Sequence, residues 1–306
     1  ETQPLFRTPA MTVQSVTPPP SFSTGRSKNR LARITNALAV TACTASAVFA
    51  LSVLFLIFGF IVYRAVVGLS LNLFTKLPGP VGSPIGMENC IIGTLILIAI
   101  SSAIGVPIGM LCGIYLAEYS RGGAFSHAVR LLVDVIAGTP SIIVGVLGYE
   151  LIVVPTGHFS GWAGGAALTF LMCPIVARTT EDMRKLVPKT MREASICLGG
   201  SKFQTLTRVV LPAARAGIIT GLMLAVARVA GETAPLLFTA LGNDQLVVNP
   251  NQPFPSLTLE IFKYATSAED EWRKQAWAGM LVLVTIIVLL SAAVRWSTSR
   301  RTLRLR

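Results

Sequence analysis

A chain of 306 residues that is 52% hydrophobic, only 13% charged and of mean hydropathy +0.65 carries too much apolar material for an ordinary soluble protein of its size. Its net charge of +12 would suit a nucleic-acid partner, but basic residues in a membrane chain gather in the loops of one side, so their placement decides. The five cysteines show no C-x-x-C spacing, the two histidines form no H-E-x-x-H, and no G-x-x-x-x-G-K-[ST] occurs, which argues against a disulfide framework, a metal site, an intramembrane metalloprotease and an ATP-binding loop in this sequence.

Residues 1–30 are rich in Pro, Ser and Thr and end in Arg26, Lys28 and Arg30, a composition that predicts a disordered tail. From Ile34 to Tyr63 no charge appears, a run longer than the roughly 20 residues needed to cross the hydrocarbon core and therefore a first span. Residues 64–87, with Pro78, Gly79, Pro80, Gly82 and Pro84, read as a turn-rich external loop. Asn89 to Ala117 is again uncharged and contains Gly105, Pro107, Gly109 and Gly113, which predicts a kinked second span packed closely in the interior. A third span is expected at about 129–154, with Asp134 and Glu150 near its two boundaries, because a charge at mid-depth costs about 2.5–3.5 kcal/mol. The fourth, at about 162–183, is rich in small residues and carries Arg178 toward its end.

A polar interruption follows. Thr190–Pro212 has the signals of two short helices: Thr190 with Glu193 and Ser201 with Gln204 have capping-box spacing, Gly199-Gly200 suits a left-handed turn, and Leu211-Pro212 marks a kink or stop. Met191, Ala194 and Leu198 on the first helix, and Phe203, Leu206, Val209 and Val210 on the second, form apolar stripes that need a cover. The fifth span, about 214–240, contains Arg228 and Glu232, four apart and able to neutralise each other. Residues 241–273 read as an external loop with a short helix at 257–265 lying on the outer surface, and Gln275–Val294 as the sixth span before a basic tail. Of the 26 lysines and arginines, Arg64, Lys76, Lys263, Arg273 and Lys274 fall with the long loops and Arg178 and Arg228 within spans; the rest gather with the termini, the short loop around residues 121–130 and the hairpin, which places those in the cytoplasm.

Glu193-Ala194-Ser195, Gly199, Val209 and Leu211-Pro212 resemble the E-A-A-x3-G-x9-I-x-L-P pattern of the permease subunits of ATP-binding-cassette (ABC) importers, with Ser for the second Ala and Val for Ile. Arg228-Val229-Ala230-Gly231-Glu232-Thr233-Ala234-Pro235-Leu236 is similar to the R-x-x-G-E-T-A-P-L segment of the phosphate-specific branch of that family. Asp134–Ile142, Ala177–Glu181 and Leu186-Val187-Pro188 support the same branch, and the resemblance covers about residues 88–296.

The resemblance implies an all-α integral membrane protein with six transmembrane helices of the type I importer architecture, a permease domain at 31–306, and a cytoplasmic coupling helix in the loop 190–212. It implies that Glu193, Ala194, Ser195, Gly199, Leu211 and Pro212 dock an ATPase, and that the chain forms a pathway for inorganic phosphate by alternating access. Arg228 and Arg178 suit that cargo, because an arginine stays charged inside a bilayer, and Glu232 would temper them. The implied partners are a second homologous permease, two cytoplasmic ATPase subunits, an external phosphate-binding protein and membrane lipid, with no nucleic acid, no cofactor and no covalent chemistry. The same residues leave other readings open: a permease for another anion such as a phosphonate, a membrane sensor or scaffold, and arginines that only tie helices together.

Overall fold

In hydrocarbon every backbone N–H and C=O must find its partner within the chain, so long apolar runs have only the helix open to them. The computed structural model describes residues 26–120 and 122–302, and there each apolar run is helical. The elements are α1 (Arg26–Gly68), α2 (Asn72–Thr75), α3 (Glu88–Ile114), α4 (Ala124–Gly138), α5 (Ser141–Gly148), α6 (Val154–Thr156), α7 (Gly161–Lys185), α8 (Lys189–Cys197), α9 (Lys202–Thr205), α10 (Leu211–Ala230), α11 (Ala234–Thr239), α12 (Leu257–Ala265) and α13 (Asp270–Thr302). Three π turns join them in part: Tyr115–Tyr119 after α3, Tyr149–Val153 after α5 and Leu206–Val210 before α10. Among the described residues five helices are long and apolar enough to cross a membrane, and a sixth span results if the bent pair 124–138 and 141–156 is one crossing.

The chain falls into two units, up to Ile57 and from Phe58 onward. In the first, Arg26–Ile57 is unbroken helix whose hydroxyls donate back to their own helix, Thr44 to the Val40 carbonyl (2.8 Å) and Ser52 to that of Phe49 (2.8 Å). Residues 26–30 of the expected tail are helical, and the rest of that segment, residues 1–25, lies outside the described residues.

In the second unit α7 is the hub. Gly105, Gly109 and Gly113 form one stripe of α3 against it: a Cβ on Gly109 would stand 2.8 Å from the Cys173 carbonyl oxygen and 2.7 Å from the Val176 Cβ, and one on Gly113 would stand 2.5 Å from the Ala177 oxygen. On another side, Gly217 and Gly221 of α10 abut Met183 and Thr179 of α7. The core cluster joins Leu97 of α3, Val144 of α5, Met172 and Val176 of α7, Val229 of α10, Leu236 of α11 and Phe254 of the following loop.

Three expected elements differ. The third span breaks at Thr139-Pro140, where α4 and α5 diverge by 104°. Pro140 has no N–H for the helix and holds Thr139 in an extended conformation (φ −73°, ψ 132°). The fifth span ends at Ala230 instead of 240, because Gly231 closes α10 and Pro235 starts α11. The helix at 257–265 forms with those bounds but does not lie on the surface: Leu257, Leu259, Ile261 and Tyr264 are buried, packed with Met87 and Cys90 of the α3 start and Ala278 and Val282 of α13. Burial also pushes the Glu260 carboxyl above its ordinary pKa, with Lys263, 3.3 Å away, opposing the shift. The acidic cluster 269–271 is not all loop, since Asp270 and Glu271 open α13, where carboxylates favour a helix N-terminus.

The close approach of α3 to α7 predicts that Gly109→Val lowers stability by about 1–3 kcal/mol through overpacking. Gly138→Ala, with nothing within 4 Å of the added carbon, should not. Thermal denaturation of the purified protein checks this, and equal melting points for the two variants would count against the packing.

Candidate functional site

The hairpin expected at 190–212 is built by two prolines and two glycines. Pro188 is the N-cap of α8 (φ −56°, ψ 141°), and its carbonyl accepts the first turn's bond from the Met191 N–H (3.3 Å). The expected capping box of Thr190 and Glu193 does not form: Thr190 is already inside the helix, and a proline cap has no N–H for a glutamate to bind. At the other end Gly199 is left-handed (φ +82°), its N–H donating to the Ile196 oxygen (2.9 Å) while the Gly200 N–H donates to that of Ser195 (3.0 Å). This is a Schellman closure, and only glycine adopts that φ without cost.

Ser201 and Gln204 form the second box reciprocally, at 3.2 Å to the hydroxyl and 3.0 Å to the amide oxygen. The second arm does not stop at Pro212. It passes through the π turn, where the Leu211 N–H reaches the Leu206 oxygen, and runs on as α10. The shifted hydrogen-bond register absorbs the donor that Pro212 lacks.

A hydroxyl pair, Ser195 Oγ to Thr205 Oγ1 at 2.9 Å, ties the two arms. Leu206 and Val210 are buried with Val187, Ala214 and Ile218 and rest against Met110 and Ile114 of α3. Glu193 and Ala194 are exposed, and Leu198 and Phe203 are 90% and 66% exposed. Met191, Ala194, Leu198, Gly199, Arg208 and Val209 line an open groove of about 530 Å³ between the arms. The two apolar stripes thus part: the second arm buries half of its own, and the remainder, with that of α8, faces outward.

The charges within the spans lie elsewhere. Arg228 is in the last turn of α10, its Nη2 3.8 Å from Glu232 Oε1. Glu232 is not on the same helix but in the break before α11; the pair persists because the Gly231 and Glu232 N–H groups still bond back to Arg228 and Val229 (3.2 and 3.1 Å). Thr258 of α12 pins the break by donating to the Glu232 carbonyl (3.1 Å). Glu232 is only 16% exposed and Arg228 62%.

Arg178 on α7 is flanked by two carboxylates, Asp134 of α4 at 2.5 Å and Asp182 at 3.7 Å. Gly221 abuts Thr179, so Arg228 stands about 9 Å farther along the bundle than Arg178, at 1.5 Å per residue. The two arginines occupy different depths.

A further set of charges sits where the hairpin joins the bundle. Glu118, in the π turn after α3, lies 3.0 Å from Arg184 Nε of α7 and 4.0 Å from Arg192 Nη1 of α8. Arg192 Nη2 donates to the carbonyls of Arg184 (2.8 Å) and Val187 (3.5 Å). Glu181 receives Arg130 of α4 (3.0 Å) and Lys185 (2.8 Å), and Arg130 also donates to the Leu116 carbonyl. From sequence alone these cations mark only sidedness. Their signal was the spacing Glu181-x-x-Arg184-Lys185 at a span end, where i, i+3 and i, i+4 partners share a face. Among the described residues no group of His, Cys, Asp and Glu could hold a metal ion.

A family model described as "Binding-protein-dependent transport system inner membrane component" matches residues 105–302. The phosphate transport system permease protein PstA of Yersinia pestis is 42% identical over 88% of this chain and 92% of its own. PstA of Haemophilus influenzae is 44% identical over 75% and 81%. Among solved structures, a bacterial ABC transporter involved in the import of alginate is similar at a TM-score of 0.58 with 15% identity, covering 88% of this chain and 99% of the other. The MetNI methionine ABC transporter in an inward-facing conformation gives 0.54 with 20% identity, covering 72% and 97%. These two share the type I permease fold, and the family model together with relatives of such identity across most of both chains shows that this chain belongs to the PstA family of phosphate transport permeases.

Proposed function

We propose that the chain forms one half of a transmembrane pathway for inorganic phosphate, with Arg228 as the cation that the anion meets. The observation that carries this is the exposure of Arg228 at the end of a spanning helix, in a chain 42% identical to a phosphate permease. A guanidinium at that depth does not face lipid; it faces water or protein, and a pathway shared with a second permease supplies both. Its planar fork suits a tetrahedral oxyanion. Glu232, held by the turn and by Thr258, keeps the guanidinium in place and lowers the net charge, so that binding remains weak enough for release. Arg178, with two carboxylates beside it, contributes less positive field and serves as a lining residue nearer the hairpin.

The hairpin docks an ATPase. Its outward apolar groove, lined in part by Ala194, Ser195 and Gly199 with exposed Glu193 on the same helix, needs a cover of protein, and Leu211 and Pro212 continue the second arm into α10. Motion of the docked hairpin therefore reaches α10 and Arg228 along one continuous helix. The partners are a PstC-like second permease, two PstB-like ATPase subunits and a PstS-like binding protein on the opposite face. The excess of lysine and arginine at the hairpin end and the termini supports a multi-pass protein of the cell membrane with both termini in the cytoplasm.

Phosphate uptake into vesicles carrying the assembled complex tests the cargo role. Arg228→Gln should slow uptake about 10- to 150-fold, the loss of a charged hydrogen-bond partner worth about 1.5–3 kcal/mol, with assembly intact, and Arg228→Lys should restore part of it. Normal uptake by Arg228→Gln would leave that residue a helix tie. For the hairpin, Gly199→Asp adds a charge to the docking face and strains the left-handed turn that shapes it, so the ATPase should no longer copurify. Undiminished copurification and coupled hydrolysis would remove the docking role. For sidedness, cysteines at exposed Pro80 and Asn251 should react with an impermeant reagent outside intact cells, and one at Lys202 should not; the reverse pattern would invert the topology.

A further inference from the structure

The first arm of the hairpin has no apolar anchor. No residue of α8 is buried, whereas the second arm sinks Thr205, Leu206 and Val210 into the bundle. Among the charged side chains of the hairpin, Lys189, Glu193, Lys202 and Arg208 are exposed, and Arg192 turns inward with only 22% of its side chain accessible. It reaches two things. One is the end of α7, where the Arg184 carbonyl, which also accepts from the Val187 N–H (3.2 Å), and the Val187 carbonyl just beyond the helix sit at the terminus where a cation is favoured. The other is Glu118, the carboxylate that closes α3 and is already paired with buried Arg184. Through Glu118 the ends of α3 and α7 share one charge with α8, and through Glu181 and Arg130 the middle of α4 joins them.

We propose that Arg192, acting through Glu118 and the end of α7, is the latch that makes α8 move with the helix bundle, and so a positioning residue for coupling ATP hydrolysis to transport. The proposal rests on the hairpin being the ATPase-docking element. A force applied to α8 has two routes into the bundle, its covalent ends and the hydroxyl pair with Thr205 on one hand, and Arg192 on the other. The first leads to α10 and, through residues 186–188, to the end of α7. The second adds a side-chain tie from α8 to the ends of α3 and α7, and Glu181 with Arg130 extends it to α4.

Removing Glu118 would leave Arg184, 3% exposed, without its counter-charge and threaten folding. Removing Arg192 leaves the Glu118–Arg184 pair whole, so Arg192 is the residue to change. The complete complex is reconstituted in vesicles with loaded binding protein, and phosphate uptake and ATP hydrolysis are measured in the same preparation. Arg192→Gln should keep the ATPase bound and hydrolysis within about twofold, while phosphate moved per ATP falls about 10-fold; Arg192→Lys should recover at least half of it, keeping the charge but not the fork. A purely structural role would lower both rates together and leave their ratio unmoved, because each scales with intact complex. An unchanged ratio overturns the latch, and so does loss of the ATPase from Arg192→Gln, which would make the residue part of the docking face. Failure of the docking reading is seen separately, as retained ATPase in Gly199→Asp.

Discussion

The backbone contact between α3 and α7 is the constraint on which the rest of the second unit depends. In lipid the tails are as apolar as leucine, so helices associate by close packing, and glycines at 109 and 113, with Gly105 close against Met172, let α3 lie against α7 at a distance that a side chain at 109 or 113 would forbid. That contact fixes the face of α7 left for α10, where Gly217 and Gly221 meet Met183 and Thr179. It also sets the ends of α3 and α7 side by side, which is what brings Glu118 to Arg184 and creates a place for Arg192. The charge network is thus a consequence of small residues elsewhere.

The π turns mark where the helices change task. One at 115–119 carries Glu118 and Leu116, both used by cations from other helices; one at 206–210 lets the hairpin's second arm continue through Pro212 into α10. A π turn admits an extra residue into the helix without breaking it, so a side chain is re-aimed while the rod stays continuous. Continuity from Lys202 to Ala230 gives the hairpin a mechanical route toward Arg228.

Surroundings separate the two intramembrane arginines more sharply than their positions in the chain do. Arg178 has Asp134 and Asp182 as neighbours, and its site carries a net negative charge unfavourable to an anion. Arg228 has one carboxylate at 3.8 Å, loosely engaged and pinned at its backbone by α12. An anion pathway needs a cation that is paired weakly enough to exchange partners, and Arg228 meets that condition better.

Uncharged runs and Gly and Pro punctuation determine local conformation, which is why the spans, the left-handed Gly199, the Ser201–Gln204 box and the helix at 257–265 were legible from sequence. Those features depend on neighbours within a turn or two. The break at Pro140 and the end of α10 at Gly231 had their residues in plain view, but whether a proline bends a span or ends it depends on the helices packed against it, here α11 against Gly145 and α12 against Glu232. The burial of α12 was hidden for the same reason: an amphipathic nine-residue helix fits a membrane surface or a crevice equally well, and only Met87, Cys90 and Ala278 supply the crevice. Sequence by itself determined the helices, the hairpin and the family resemblance, because these are written in short-range pattern. Tertiary structure alone decided which charges meet, since Glu118, Arg130, Glu181, Arg184 and Arg192 come from four helical segments whose ends converge only after the glycine stripe of α3 has packed on α7.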